Sequence, residues 1–406
     1  MNANYATVQG FCEPQFAEVE AEFRRNFDER GELGAAVSII AEGKLCVDLW
    51  GGVADQASGR AWQKDTIAVV FSATKGLSAI CMHLLIERGL LDIDGPVARY
   101  WPEFAANGKG DITVAMVLSH QAGLPVWQES LPDAAFYDWD LVASRLAAEA
   151  PIWEPGTCHG YHAATLGVLE GELIRRITGS TIGAFLNAEV AERLGADVWI
   201  GLPESEEHRV ATVYLSALGP QSPLFRKLAD DKDWFGWKMI GNSGNDITHR
   251  NVNSRRRHAA ELPAIGGIAS ARGLAQAYAP LSLDGSIDGI RLVDKSSLPA
   301  MRAVRSASDR DLVLQVPTTF TLGFSKSWGN RRLGEGEHVI IGEQAFGTPG
   351  MGGSLGFADG DARFSFGYVM NKHGRGIGLN DRGQSLVDAA YRAVEYSSSE
   401  PGFWVR

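Results

Sequence analysis

A hydroxyl group precedes a lysine by three residues in the sequence "FSATKGL", residues 71–77. Residues three apart lie on the same face of a helix, so Ser72 and Lys75 would be neighbours if a helix begins here. A lysine amine beside a serine can act as its general base when its surroundings disfavour the ammonium ion. The pair is therefore a candidate nucleophile and base. The alternative is a helix-capping serine followed by a solvated lysine.

A tyrosine, Tyr161, follows a tight turn in "WEPGTCHGYHAATLGVLEGELI" and comes just before a predicted helix. A phenol that is hydrogen-bonded to the lysine can pass the serine proton to a departing oxygen or nitrogen atom. Tyr161 is therefore a candidate proton shuttle. The alternative is a tyrosine that only packs in the core or on the surface.

Glycines are dense in "FGTPGMGGSLGFADGDARFSFGYVMN", residues 346–371, which otherwise has the character of β-strands. A backbone without side chains lets amide donors approach a ligand closely. Such donors can stabilise the oxyanion that forms when a serine attacks a carbonyl group. This stretch is therefore a candidate oxyanion site, and the alternative is an ordinary β-hairpin turn.

Together these motifs resemble the serine β-lactamase and penicillin-binding-protein superfamily. Within it, the chain is similar to the class C-like family VIII carboxylesterases and other β-lactamase-related hydrolases. "FSATKGL" matches the Ser-x-x-Lys motif, "ITVAMVLSHQAGLP" matches the helix and turn after it, and "PGTCHGYHA" matches the tyrosine motif. "FGTPGMGG" and "FGYVMN" match the Lys-Thr-Gly strand and its neighbour. The four motifs occur in the family's order across roughly residues 30–390.

The resemblance implies a catalytic role for each motif. Ser72 attacks the acyl carbonyl carbon while Lys75 takes its proton, and Tyr161 shuttles that proton to the leaving group. Tyr161 then helps to activate the water that hydrolyses the acyl-enzyme. The backbone amides of Ser72 and Met351 form the oxyanion hole.

The chain differs from β-lactamases at three positions where the family binds a substrate amide or carboxylate. Ala163 stands where an asparagine is expected, Thr348 replaces the lysine of Lys-Thr-Gly, and Trp127 replaces a glutamine. These changes remove polar partners and add an aromatic wall, which favours an uncharged short-chain or aryl ester as substrate. The predicted substrate-binding residues are Trp127, Ala163, Thr348 and Gly350.

Other functions stay open from the sequence. The same fold could serve a β-lactamase or a D-amino-acid peptidase, or an inactive binding protein, although the three candidate catalytic residues are all present. "GGSLG", residues 352–356, fits the nucleophile elbow of α/β-hydrolases, but strand-like sequence follows Ser354 where the elbow needs a helix. His159 and His162 flank the tyrosine without an accompanying carboxylate–histidine cluster, so we expect no metal site and no cofactor.

The periodicity of the apolar residues predicts the elements that would hold these motifs. Helices are expected at 14–30, 72–89, 113–119, 138–149, 164–177, 181–194, 271–282 and 383–397. A hairpin is expected in "GAAVSIIAEGKLCVDLWGG", and further strands are expected over the last hundred residues. The polar stretch 204–262 reads as a surface excursion that could flank the mouth of the site.

These elements predict an α/β protein of the β-lactamase/transpeptidase-like class, with an antiparallel sheet built from both chain ends and flanked by helices. The expected sheet domain comprises 1–71 and 291–406, and the expected helical domain comprises 72–290. The active site would lie at their interface.

Composition limits the classes of partner. The chain has 406 residues, 45% hydrophobic and 21% charged, with a net charge of −11. The negative charge disfavours nucleic acid and anionic membranes, and it suits a small neutral ester as the partner. Four scattered cysteines and the lack of a secretory signal predict a cytoplasmic protein with free thiols. The oligomeric state is left open.

Overall fold

The computed structural model describes residues 7–217, 219–242, 248–329, 331, 336–398 and 402–406. The strands are β1 Gln9–Cys12, β2 Gly34–Ala41, β3 Lys44–Asp55, β4 Arg60–Ala61, β5 Ala68–Phe71, β6 Val198–Trp199, β7 Gly267–Ala269, β8 Ser286–Ile287, β9 Ile290–Arg291, β10 Ser306–Ser308, β11 Thr318–Phe320, β12 Phe346–Pro349, β13 Leu355–Asp359, β14 Phe364–Met370, β15 Ser397–Ser398 and β16 Trp404–Val405. The α-helices are α1 Ala17–Asp28, α2 Thr74–Glu87, α3 Val114–Leu118, α4 Trp139–Ala148, α5 Thr165–Thr178, α6 Ile182–Leu186, α7 Glu192–Leu194, α8 Pro223–Asp230, α9 Gly236–Gly241, α10 His249–Val252, α11 Arg255–Ala259, α12 Ala271–Tyr278, α13 Leu298–Arg302 and α14 Asp381–Ala393.

The main sheet joins the two ends of the chain. Its strand order is β1-β3-β2-β14-β13-β12, with β4 paired to β3, and every pairing is antiparallel. The central pair is β2 with β14, where Ala41 lies opposite Phe364. The predicted fold class is therefore confirmed, since one antiparallel sheet is built from the N-terminal and C-terminal parts of the chain.

Helices cover both faces of this sheet. Alternate residues of β14 point to opposite sides because successive side chains of a strand alternate. One set packs with α1 and α14 in a buried cluster; these residues are Phe364, Phe366, Tyr368 and Met370. The other side contacts α12, where Ser365 Oγ donates to the Ala275 carbonyl over 2.8 Å. At Gly367 a Cβ atom would lie 2.0 Å from the Ala271 carbonyl oxygen, so α12 packs directly on the backbone of β14.

The predicted elements occur close to their expected positions. The β2–β3 hairpin turns at Glu42 and Gly43, whose positive φ angles of 48° and 78° are typical of a two-residue type I′ turn. The predicted helix 181–194 is continuous but contains a π-helical segment at residues 187–191. The boundaries of the two predicted domains stay a prediction, and α12 lies on the sheet although it falls within 72–290.

A second, three-stranded sheet lies beside the main one. Its order is β5-β7-β6, and its pairings are antiparallel. It supports the start of α2, because β5 leads into that helix through a two-residue turn. None of the described helices combines the length and the apolar character that crossing a lipid bilayer requires.

Candidate active site

Ser72 lies at the junction between β5 and α2. The residue before it, Phe71, has a φ of 46°, a left-handed conformation that is strained for a bulky side chain. The Thr74 hydroxyl donates to the Phe71 carbonyl and accepts a hydrogen bond of 2.8 Å from the Gly267 amide of β7. Strand β7 therefore holds the sharp turn that brings the Ser72 hydroxyl to the surface of a cavity.

Lys75 is almost completely removed from water, with 1% of its surface exposed. Its Nζ lies 2.7 Å from the Ala163 carbonyl, 3.0 Å from the Ala264 carbonyl and 3.4 Å from Ser72 Oγ. Burial lowers the pKa of Lys75 to about 7. A neutral amine has two N–H donors and one lone pair, so the two carbonyls accept its hydrogens and the lone pair is left for the Ser72 hydroxyl proton.

Tyr161 lies beside both Ser72 and Lys75. The Ser72 side chain interacts with the phenol of Tyr161 and favours the ionised form, although burial has the larger effect. Lys75 Nζ lies 4.6 Å from the centre of its ring. Burial raises the pKa of Tyr161, so the phenol keeps its proton at neutral pH. The structure thus brings the three candidate catalytic side chains together, with the phenol in reach of the serine oxygen.

Two residues that line the same cavity have backbone amides without an acceptor among the described residues. Neither the Ser72 nor the Met351 amide has a hydrogen-bond partner among the described residues. The close approach of the two segments depends on Gly350, because a Cβ there would lie 2.1 Å from the Val70 carbonyl oxygen. Ser354 fixes the same approach by donating to that carbonyl over 2.9 Å. Free amides at this place are available for an oxyanion.

The placement of Ser354 contradicts a nucleophile elbow. Its side chain is buried, its hydroxyl is used by the Val70 carbonyl, and strand β13 follows it, where the elbow needs a helix. Ser354 therefore has a structural role beside the site.

Two histidines brace the loop that carries Tyr161. The His162 amide donates to His120 Nδ1 over 3.0 Å, and the Leu124 amide donates to His162 Nε2 over 3.0 Å. His162 Nε2 thus accepts, which leaves Nδ1 to donate to the Gly160 carbonyl at 2.7 Å. Burial lowers the pKa of His162 to about 3, consistent with this neutral form. The described residues contain no group of three or more histidine, cysteine or acidic side chains arranged to hold a metal ion.

Asp311 anchors the same loop from a distant part of the chain, and the sequence did not single it out. Its Oδ1 accepts hydrogen bonds from the amides of Tyr161, Val313 and Leu314 at 3.0, 2.7 and 2.8 Å. His159 lies nearby, with Nε2 at 3.6 Å from Asp311 Oδ2 and at 2.8 Å from Thr318 Oγ1. The backbone position of Tyr161 is therefore fixed by a buried carboxyl group.

The cavity in front of Ser72 has a volume of about 470 Å³, within the usual range for small-molecule sites. The described residues that line it are mostly apolar, and none of them carries a charged side chain. They are Phe71, Ser72, Tyr161, Ala163, Ala164, Leu224, Leu228, Met239, Ile240, Ile265, Leu314, Thr318, Phe320, Ser325, Trp328, Pro349, Met351 and Ile377.

Three of the four predicted substrate-binding residues do not line the cavity. Trp127 does not line the cavity, since it is buried in the helical core with its ring 5.5 Å from that of Phe136, and the predicted aromatic wall is wrong. Thr348 is also buried and lies beside Gly76 of α2, so it does not face the substrate. Gly350 acts through backbone packing. Ala163 does line the cavity.

Four of the cavity-lining residues that the sequence analysis missed come from the polar excursion 204–262. Leu224 and Leu228 lie one turn apart on α8, and Met239 and Ile240 lie on α9. The apolar spacing of four residues within "PLFRKLAD" was the signal for an amphipathic helix. The expectation that this excursion flanks the mouth of the site agrees with these contacts.

Comparison with known proteins gives consistent similarities. A family model described as Beta-lactamase matches residues 19–389. The chain is 34% identical to "Esterase/beta-lactamase LipL" of Mycobacterium tuberculosis over 380 residues, which cover 90% of this chain and 83% of that relative.

Solved structures extend the similarity to the whole fold. A family VIII carboxylesterase is 37% identical with a TM-score of 0.85, and the match covers 95% of this chain and 100% of the other. A penicillin-binding-protein homologue from Caulobacter crescentus is 35% identical with a TM-score of 0.82, again over 95% and 100% of the two chains.

Proposed function

Since the chain belongs to the beta-lactamase family, as its motifs predict, we propose that it is a serine carboxylesterase that hydrolyses uncharged esters through an acyl-enzyme on Ser72. The fold is β-lactamase/transpeptidase-like, and related proteins include both esterases and penicillin-binding-protein homologues. The substrate therefore has to be identified among those that members of one family hydrolyse.

The uncharged, mostly apolar cavity in front of Ser72 is the observation that favours an uncharged ester as substrate. A substrate carboxylate would enter it without a cationic partner among the described lining residues. An unpaired buried polar group costs about 1–3 kcal/mol, and a charged one costs more. A short-chain or aryl ester brings apolar surface and a carbonyl group, which this cavity and the two free amides can accept.

In the proposed acylation step, Ser72 Oγ attacks the ester carbonyl carbon and its proton moves to the lone pair of Lys75. The carbonyl oxygen becomes an oxyanion that accepts hydrogen bonds from the amides of Ser72 and Met351. The bond from carbon to the alcohol oxygen then breaks. The departing oxygen receives a proton from the Tyr161 hydroxyl, which regains one from Lys75, so the alcohol leaves neutral.

In the proposed deacylation step, water takes the place of the alcohol. Tyr161 and Lys75 accept its proton while its oxygen attacks the acyl carbon, and the Ser72 oxygen leaves with a proton returned by the same route. The carboxylic acid product is released and Ser72 is restored. The neutral amine and the protonated phenol suit these roles, since each needs the form that burial favours.

A β-lactamase activity is the second candidate, because the name of one relative includes it. A β-lactam brings a carboxylate and an amide into the site. Ala163 offers no amide partner, and the position of the family's lysine is the buried Thr348. We therefore place this activity below ester hydrolysis.

We also propose a cytoplasmic location. The four cysteines are all free thiols in the structure, which suits a reducing compartment. Its partner there would be a small ester molecule.

The test of the proposed function combines labelling with a substrate panel. A fluorophosphonate probe should modify the peptide containing Ser72, and Ser72→Ala should abolish both labelling and ester hydrolysis. Ser354→Ala is the control and should still label. Short-chain p-nitrophenyl esters should exceed nitrocefin by orders of magnitude in kcat/KM. Labelling at Ser354, or comparable rates on nitrocefin, would contradict the proposal.

A further inference from the structure

The carboxyl group of Glu170 on α5 is fully buried, and neither of its oxygens has a hydrogen-bond partner among the described residues. Glu172, two residues further on the same helix, is also buried but is hydrogen-bonded to Arg175, Arg176 and Trp139. Leaving a buried carboxyl group unpaired is costly. The acylation and deacylation steps do not use Glu170, so its presence needs another explanation.

Glu170 lies on the side of α5 that forms the pocket of Lys75. Ala163, just before α5, gives its carbonyl to Lys75 Nζ. Four residues later, a Cβ on Gly167 would lie 2.5 Å from the amide nitrogen of Ala264, whose carbonyl is the other acceptor of Lys75. Glu170 follows Gly167 by three residues, so it shares this face one turn further on.

The same carboxyl group lies one turn from Lys75 along α2. A Cβ on Gly323 would lie 2.6 Å from Ala79 Cβ and 3.8 Å from Glu170 Oε1, so Gly323 separates the carboxyl group from Ala79 only narrowly. Ala79 is four residues after Lys75 and therefore on the same face of α2. The two titratable groups thus occupy one buried region between α2 and α5.

Four other titratable side chains interact electrostatically with Lys75 or Glu170. Burial raises the pKa of the thiol and of the phenol among them and lowers the pKa of the two imidazoles, so all four are uncharged near neutral pH. They are Cys81, Tyr161, His120 and His162. Glu170 is thus the carboxyl group that acts on Lys75 among the described residues, and it opposes the lowering of the lysine pKa by burial. The charge of Lys75 in turn opposes the rise that burial causes in the pKa of Glu170.

We propose that Glu170 is a positioning residue that acts through Lys75, supplying the negative charge that stabilises the ammonium ion formed when the amine accepts the Ser72 proton. Burial raises the pKa of Glu170, and above that pKa the resting site holds a neutral amine and a carboxylate. Proton transfer from Ser72 then creates an ion pair in a region of low dielectric constant, where such attraction is strong. No covalent bond to Glu170 forms or breaks. This inference rests on the proposed role of Lys75 as the base.

The test is the pH dependence of kcat/KM on a p-nitrophenyl ester, compared between wild type and Glu170→Gln. Without the carboxylate, Lys75 loses its proton at lower pH, so the acidic limb should move down by about one pH unit or more. The alkaline plateau should also fall several-fold, because the amine has become a weaker base. Glu172→Gln is the matched control, since it changes a buried glutamate of the same helix and should leave the limb in place.

Two further measurements distinguish the role of Glu170 from the proposed ester hydrolysis. Glu170→Met replaces the carboxyl group by apolar volume and should shift the limb in the same direction. The rate at which a fluorophosphonate labels Ser72 should show the same shift, and this rate does not depend on which ester the enzyme hydrolyses. A shifted labelling profile without ester hydrolysis would support this inference while contradicting the proposed function. Superimposable profiles of wild type and Glu170→Gln, or an equal shift in Glu172→Gln, would overturn it.

Discussion

At the scale of single residues, burial acts in opposite directions on the two titratable members of the site. It lowers the pKa of Lys75 to about 7 and raises the pKa of Tyr161, because it disfavours the charged form of each group. Near neutral pH the amine is therefore available as a base while the phenol retains its proton. This difference favours Lys75 as the group that activates Ser72 and Tyr161 as the group that relays the proton.

Replacing Tyr161 by phenylalanine tests the relay. The ring and its packing stay, and only the hydroxyl that contacts Ser72 is lost. We expect kcat to fall on the order of 10²-fold or more, with little change in the melting temperature. Steady-state kinetics and thermal unfolding check this, and unchanged turnover would reduce Tyr161 to a packing residue.

The lowered pKa of Lys75 should also make the free energy of unfolding depend on pH. Between about pH 7 and the ordinary lysine pKa of 10.5, the unfolded chain binds a proton at Lys75 that the folded protein does not. Stability therefore rises with pH in this window, by up to about 1.4 kcal/mol per pH unit. Lys75→Met removes this pH-dependent contribution. The free energy of unfolding of the variant should therefore exceed that of wild type most below pH 7, and the difference should shrink towards pH 10. Denaturant unfolding at several pH values measures this, and a constant difference would contradict it.

At the scale of elements, helices α8 and α9 form one side of the substrate cavity. Leu228 of α8 lines it, whereas Phe225 on the same helix is 40% exposed and does not. The excursion that carries these helices therefore combines a polar composition with an apolar inner wall. We expect such a wall to limit the size of the acyl or alcohol group that can be bound.

Leu228→Phe should shorten the cavity. We expect kcat/KM for octanoate esters to fall about tenfold relative to acetate esters, since a poorly fitting methylene in an apolar pocket costs about 1–3 kcal/mol. Phe225→Ala is the control on the same helix and should leave the ratio unchanged. A p-nitrophenyl ester series measures both variants, and equal ratios in Leu228→Phe and wild type would exclude α8 from the specificity.

The elements themselves were largely predictable, and the walls of the site were not. The helices follow from apolar spacing, and the motif residues Ser72, Lys75 and Tyr161 meet because a helix and a turn place them. Trp127 was misassigned because its position in a motif says nothing about which way its ring packs. Asp311 gave no signal, since its hydrogen bonds to a loop some 150 residues earlier depend on tertiary packing alone.

At the scale of the whole molecule, the main sheet closes only when the two ends of the chain meet. Strand β14 pairs with β2 along its full length, from Phe364 opposite Ala41 to Met370 opposite Ala35. Both strands are covered by helices on each face. The stability of either half of the sheet therefore depends on the other half.

Hydrogen exchange can check this coupling. We expect the amides of β2 and β14 to be among the slowest to exchange and to open together, because each strand supplies the hydrogen-bond partners of the other. Peptide-resolved mass spectrometry under mild denaturant would show one common opening. Faster, independent exchange in β14 would mean that the N-terminal strands form a stable unit without it.

The pairing of β2 with β14 also has a consequence during synthesis. The partner of Ala41 is Phe364, so the ribosome must translate more than three hundred further codons before the hairpin edge can be covered. At ordinary elongation rates this wait is on the order of tens of seconds. During that time the growing polypeptide exposes an apolar β-edge that invites aggregation, and a chaperone that shields nascent chains would protect it. The segment with Met351 is translated late as well, so we expect the proposed oxyanion hole to form only after that segment has been synthesised.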